Sequence, residues 1–208
     1  MNSSFDYYAV TNSANLLYSI DICCVQADYA CDYSDKNLFS NLCSKGCINY
    51  NKKWSCPPHS PNYRDFCAGW DKLLILYARM SLSQLLYIKN DYLKIKAANS
   101  ILKSRADKFF RHISTRYGKY ISTGSCRLCK PCKCKMNLPC AHPELMTYSF
   151  ESIGLDVGKL VVNRFQKPLL WYKPQHLPKY TAVVCGLLTN AEITPEDLQK
   201  EYMRYIKS

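Results

Sequence analysis

The stretch Cys126-Arg-Leu-Cys129-Lys-Pro-Cys132-Lys-Cys134-Lys-Met-Asn-Leu-Pro-Cys140 governs how the rest of the chain reads. Five thiols fall within fifteen residues, and two of the gaps are Cys-x-x-Cys. Such spacing lets a short loop aim several sulfurs at one centre, as tetrahedral zinc and iron–sulfur sites require. Cys126, Cys129, Cys132 and Cys140 form the expected ligand set, with Cys134 either spare or standing in for Cys132. The first three match the start of the ferredoxin run Cys-x2-Cys-x2-Cys-x3-Cys-Pro, from which the chain then departs. Three thiols crowd one loop here, whereas zinc ribbons use two separated knuckles, so the spacing favours iron. A four-cysteine zinc site uses the same turn and stays the alternative. Pro131, Leu138 and Pro139 read as an apolar cover that keeps water off the centre.

A second, looser group lies upstream at Cys43, Cys47, Cys56 and Cys67. Gly46 lets that loop turn its sulfurs inward, and Pro57-Pro58 stops a helix from running through its exit. Tyr50 and Trp54 are candidate shields or plain core residues. Cys67 is the natural fourth ligand for Cys43, Cys47 and Cys56, with His59 as the alternative. Whether the two groups build one centre or two is open at this level.

Thirteen cysteines in 208 residues would suggest disulfides in an exported chain. Met1 to Asp35 carries no Lys or Arg, however, and lacks the basic start and apolar core of a signal peptide. No apolar run is long enough to span a bilayer. A cytoplasmic location is therefore expected, where thiols stay reduced and clustered cysteines mean metal or redox chemistry. The formal charge of +12 suggests an acidic partner such as nucleic acid or a redox protein. Metal-bound thiolates would lower that figure by several units.

With 48% apolar residues the chain can bury a core, and no low-complexity linker divides it. Phe5 to Asp32 reads as strand-rich, with adjacent Cys23 and Cys24 on opposite faces as small buried hydrophobes. Asp35 caps a short helix through Leu42. Lys72 to Met80 is a buried strand. Ile95, Ala98, Leu102, Ala106, Phe109 and Ile113 stripe a long helix over Lys89–Arg116, ended by Gly118. Off that stripe, Lys96, Lys103, Lys108, Arg111 and Arg116 read as a solvated face or a surface for an acidic partner. Pro143 opens a helix running to about Ser152, Asp156 caps another through Arg164, and Tyr180 to Leu187 is a late strand. Thr194-Pro195-Glu196-Asp197 starts a C-terminal helix over 194–208. Strands at both ends with helices between them predict an α+β fold: one compact domain over 1–208, with a small mixed or antiparallel sheet, flanking helices and two cysteine-rich loops.

Three ordered blocks carry a family resemblance. Cys47-x2-Tyr50-x-Lys52-x-Trp54-Ser55-Cys56-Pro57-Pro58 resembles the signature Cys-x2-Tyr-Gly-Lys-x-Trp-Ser-Cys-Pro-Pro of the DUF2284 family, described as predicted metal-binding proteins. Gly124-Ser125-Cys126-Arg127-Leu128-Cys129-x2-Cys132, followed by Pro139-Cys140-Ala141-His142-Pro143, is similar to its second block. Ser149-x-Glu151-Ser152-x-Gly154-Leu155-Asp156-Val157 is similar to its third. Asn51, Phe150 and Ser152 depart from the family's Gly, Met and Ala. The resemblance covers about 43–187 and implies a metal-binding domain, with iron–sulfur clusters the usual supposition and no established reaction.

Three functions follow from these residues. The first is an iron–sulfur protein, with one or two clusters of the [4Fe-4S] type, that transfers electrons or senses redox state. The second is an enzyme whose three-thiol cluster leaves an iron open to a sulfur-containing small molecule. The third is a zinc-stabilised nucleic-acid binder. Glu151 and Asp156 are carboxylates that could move a proton or simply cap and solvate. No phosphate-binding glycine loop, Ser-His-Asp order or His-Glu-x-x-His motif supports nucleotide-driven or hydrolytic chemistry.

Overall fold

Leu73-Leu-Ile-Leu76 is apolar at every position because its strand lies mid-sheet with both faces covered. The computed structural model describes residues 2–11 and 14–207. Met1, Asn12, Ser13 and Ser208 lie outside them, so the helix expected over 194–208 is described through Lys207. Six strands form one open mixed sheet: β1 (Asn2–Val10), β2 (Asn15–Gln26), β3 (Lys72–Ser81), β4 (Lys119–Ser122), β5 (Tyr148–Ser149) and β6 (Tyr180–Thr189), in spatial order β1-β2-β3-β6-β4-β5. All neighbours are antiparallel except β4 and β5, which run parallel. The helices are α1 (Lys36–Ser44), α2 (Tyr63–Cys67), α3 (Asp91–Tyr117), α4 (Val157–Phe165) and α5 (Pro195–Lys207). The α+β expectation holds.

Side chains along β2, β3 and β6 alternate between two cores. Tyr18, Ile20, Leu74, Leu76 and Cys185 face one core, closed by Leu102 and Phe109 of α3 and by Leu198 and Tyr202 of α5. Cys23, Leu73, Ile75 and Tyr77 face the other, closed by Leu160 and Val161 of α4 and by Phe150. Cys23 and Cys24 thus separate to opposite faces, as expected, with Cys23 fully buried. Each fully buried Leu, Ile or Phe contributes about 1.5–3 kcal/mol. No helix among the described residues is long and apolar enough to cross a membrane.

Local signals set most helix ends. Asp35 caps α1 by accepting from the Leu38 amide at 2.8 Å, and the helix runs past Leu42 to take in Cys43. Asn90 caps α3 in the same way. Asn62 caps α2, a short helix the sequence reading passed over. Gly118 turns α3 straight into β4 at φ 152°, and a Cβ there would stand 1.9 Å from the Leu188 carbonyl oxygen. Only glycine fits so close to the neighbouring backbone.

The helix expected from Pro143 to Ser152 does not form. Residues 143–145 make a turn, Tyr148 and Ser149 pair with Ile121 and Ser122, and Glu151–Ile153 is a single 3₁₀ turn. Long-range burial overrides the local start signal. Phe150 is 1% exposed, and its ring fills the space a side chain at Gly186 would need, 2.8 Å from where that Cβ would stand. Gly154 closes the turn at φ 90°, and Asp156 caps α4, which ends at Phe165.

Two measurements check this framework. Gly118→Ala is expected to cost about 3 kcal/mol or more, read from the urea midpoint, because neither the φ nor the Leu188 contact accommodates a Cβ. Asp21, on β2 and 7% exposed in its side chain, bonds Lys167 and Arg79 at 2.9 Å each and Ser4 at 2.7 Å. Burial pushes its carboxyl up, but Lys167, Ser4 and Arg79 outweigh that and hold it below 3.8. The native state thus gains stability from the carboxylate above that pH and loses it as pH falls through the lowered value. Asp21→Asn is expected to cost about 3 kcal/mol at neutral pH and to flatten the acid loss in urea midpoints taken across pH.

Candidate metal centre

The upstream thiols come together through short turns at the end of α1. The Cys43 carbonyl accepts from the Cys47 amide at 3.0 Å, folding Cys47 back toward the helix. Asn51 follows at φ 52°, in the left-handed region. That explains the departure from the family's Gly, because Asn is among the few other residues that tolerate this conformation. Its Oδ1 lies 2.8 Å from His59 Nε2, and the His59 ring meets Trp54 edge-on at 4.6 Å. His59 is thereby engaged outside the thiol group. The Pro57–Pro58 and Lys130–Pro131 peptide bonds are cis.

Cys43, Cys47 and Cys56 line a cavity of 210 Å³ together with Tyr50, Ser149 and Glu151. Burial pushes the Cys56 thiol up to about 11, and burial followed by the Cys47 thiol pushes Cys43 up as well. Lys36 faces them from the start of α1, and its ammonium donates to Ser60 Oγ and the Ser152 carbonyl at 2.7 Å each. Burial lowers the Lys36 pKa, with Cys43 and Cys56 opposing. Ionising these thiols therefore needs positive charge beyond Lys36, such as a bound cation supplies. Asp156 is engaged as the α4 cap, so Glu151 is the carboxylate left facing this cavity.

Cys67 does not join the group. It lies in the second core with Cys31 packed beside it, its Sγ 3.5 Å from the Arg64 carbonyl. Burial, then the Cys31 thiol, pushes its pKa up to about 11.

Downstream, Cys126, Cys129, Cys132 and Cys140 line a smaller cavity of 20 Å³ with Trp54 and His142. Cys134 is 3% exposed and is not among those lining residues. Pro131, Leu138 and Pro139 lie exposed, so the apolar cover expected from them comes instead from Trp54, Leu128 and Met146. Trp54 is held over the site by its indole N–H, which donates to the Leu138 carbonyl at 2.9 Å. Tyr50 shields the upstream cavity and Trp54 the downstream one.

The two cavities share a wall. Ser55 and Cys126 line the downstream side, and their neighbours Cys56 and Ser125 line the upstream side. The Cys126 amide donates to Ser55 Oγ at 3.1 Å. The Lys53 ammonium donates to Ser125 Oγ at 3.0 Å and to the Cys126 carbonyl at 2.8 Å. The spacing of either block gives no sign of this interlock, although the Lys and Ser it uses flank Trp54. Among the described residues, no three Cys, His or carboxylate side chains converge closely enough to hold one ion; the thiols ring cavities instead.

The donor set is soft thiolate chemistry, which suits zinc, copper(I) or iron–sulfur centres and not hard cations. No curated protein and no solved structure matches the chain. The family model of the predicted metal-binding proteins DUF2284 matches residues 30–188, a span holding both thiol cavities and the third motif block. The chain belongs to the DUF2284 family.

Proposed function

We propose that this protein carries iron–sulfur clusters of the [4Fe-4S] type, one at each thiol-lined cavity, and works in electron transfer or redox sensing. The observation that carries the reading is the pair of back-to-back cavities, one ringed by four cysteines and one by three. A cluster spreads its irons apart and takes thiols around a space, whereas zinc draws four ligands to one point at about 2.3 Å from each sulfur.

Cys126, Cys129, Cys132 and Cys140 would hold the downstream centre, and Cys43, Cys47 and Cys56 the upstream one. The 20 Å³ cavity is too tight for a four-iron centre until the 126–140 loop moves outward. That loop is exposed over Lys133–Pro139 apart from Cys134, so little packing opposes the movement. Bound clusters would supply one-electron redox chemistry. The protein's share is to keep the thiols grouped, to shield them with Trp54 and Tyr50, and to offset thiolate charge with Lys36 and Lys53. A wall only one residue thick on each strand of chain favours electron exchange between the two sites. The partner in that exchange would be a redox protein.

A second reading rests on the upstream cavity. Three thiols and 210 Å³ leave both a free coordination position and room for a small molecule, with Glu151 facing the space. This favours cluster-based chemistry on a sulfur-containing substrate over simple electron relay at that site.

Anaerobically purified protein is expected to contain about four or eight iron atoms per chain with matching sulfide, and to show broad visible absorption bleached by dithionite. Cys126→Ser with Cys129→Ser, and separately Cys47→Ser with Cys56→Ser, should each remove about half of an eight-iron complement. Cys67→Ser and Cys134→Ser should leave it unchanged. One or two zinc ions with no colour would overturn the iron reading and move the search to salt-sensitive nucleic-acid binding. Ser55→Ala is expected to cost about 1–3 kcal/mol through the unpaired Cys126 amide and to speed hydrogen exchange there.

A further inference from the structure

β6 runs on past the end of β4. Lys119, Tyr120 and Ile121 pair with Leu188, Leu187 and Gly186, and beyond Gly186 that edge of β6 has no strand partner among the described residues. A cavity of 130 Å³ opens in the gap, lined by Ala182–Val184, Lys103, Thr123, Glu151 and Trp171. Trp171 is 70% exposed and marks its mouth. Glu151 lines this cavity and the three-thiol cavity alike, so the two meet at its side chain.

Lys103 is the feature the sequence placed differently. Its position on α3 suggested a solvated face, yet its side chain turns into this gap and reaches the partition between the cavities. A Cβ on Gly124 would stand 3.8 Å from its ammonium, and Thr123 and Ser125, on either side of Gly124, line the two separate spaces. Among the described residues, no carboxylate lies within ion-pair distance of Lys103 and its ammonium makes no hydrogen bond. Asp107, one turn on, is engaged by Tyr120 and by the Thr123 amide and hydroxyl at 3.0 and 2.9 Å. Arg127 adds a second positive charge nearby, and the Asp107 and Glu151 carboxylates stand close enough to oppose it. A half-buried cation with no direct ion pair or hydrogen bond can still take up an anion against the nearby charge of Glu151 and Asp107, and one end of that anion would lie a side chain away from three cysteines.

We propose that this side cavity binds a small organic acid carrying a sulfur atom, its carboxylate on Lys103 and its sulfur directed past Glu151 to the three-thiol site. The inference rests on the reading of Cys43, Cys47 and Cys56 as a centre with a free position, where a soft sulfur donor is the preferred ligand. The Lys103 end stands on its own geometry.

The test uses mercaptoacetate and its neutral analogue 2-mercaptoethanol, titrated into the anaerobic protein. Visible absorption of the metal centre reads the sulfur end, and Trp171 fluorescence reads the mouth. Mercaptoacetate is expected to change both signals over the same concentration range and to bind about tenfold tighter than 2-mercaptoethanol, as a charge-assisted bond to Lys103 implies. Lys103→Gln should erase that preference, Lys103→Arg and the exposed-site control Lys108→Gln should keep it, and Trp171→Phe should remove only the fluorescence change. Circular dichroism confirms that each variant is folded. Equal binding of the two thiols, a preference that survives Lys103→Gln, or a fluorescence change without a visible one in iron-loaded protein would overturn the proposal. A colourless, zinc-containing preparation overturns the iron reading instead. There the fluorescence titration alone decides the pocket: a Lys103-dependent preference supports it, and no preference overturns it.

Discussion

The bond from the Cys126 amide to Ser55 Oγ, with Lys53 clamped onto Ser125 and Cys126, is the constraint on which the site depends. It ties together segments 71 to 73 residues apart. Bringing such distant segments together costs closure entropy that three hydrogen bonds at about 1 kcal/mol each would not offset alone. The sheet meets that cost first. β4 leads into the downstream block, and Ser149 of its neighbour β5 lines the upstream cavity, so the β4–β5 edge of the sheet is where the two blocks meet. The hydrogen bonds then choose the register in which they meet, setting Cys56 and Cys126 back to back on a common wall.

Without bound cation the arrangement works against ionised thiols. Burial raises Cys56 to about 11 and raises Cys43, while Lys36 is itself weakened as a cation by burial. Thiolate and metal must therefore arrive together, with protons leaving as the centre forms. Cys23, Cys67 and Cys185 are raised for the same reason, yet they sit in the two cores and line neither thiol cavity. The same chemistry that makes a cysteine an inert core residue in one place makes it a ligand candidate in another. What separates the two roles is the space in front of the sulfur.

That distinction also explains what the sequence could and could not reveal. Strands, caps and the α+β class were legible because each rests on local signals: alternation in β2, the apolar run of β3, and Asp35 and Asp156 at helix starts. The downstream group was legible from its Cys-x-x-Cys spacing, and Cys43, Cys47 and Cys56 of the looser upstream group line the other cavity without Cys67. Spacing could not place Cys67 and Cys134, whose positions depend on packing against Cys31 and on the 3₁₀ turn over Lys133–Met136. The false helix at 143–152 failed for a similar reason, since Phe150 is claimed by a core built from β3 and β6. Lys103 was misread because a helix stripe predicts which face looks inward, but not where a neighbouring strand ends early and leaves a gap.

The asymmetry between the two cavities then becomes a statement about division of labour. Four cysteines around a tight space, under Trp54, leave no position for an incoming ligand. Three cysteines around a larger space leave one position, and Glu151 is shared with the side cavity that holds Lys103 and Trp171. On the iron–sulfur reading, the closed site can store or pass an electron while the open site meets a substrate. The shared Ser55–Cys56 and Ser125–Cys126 wall keeps the distance between them short without merging the two. A single structural zinc would need neither the second cavity nor the lysine behind it.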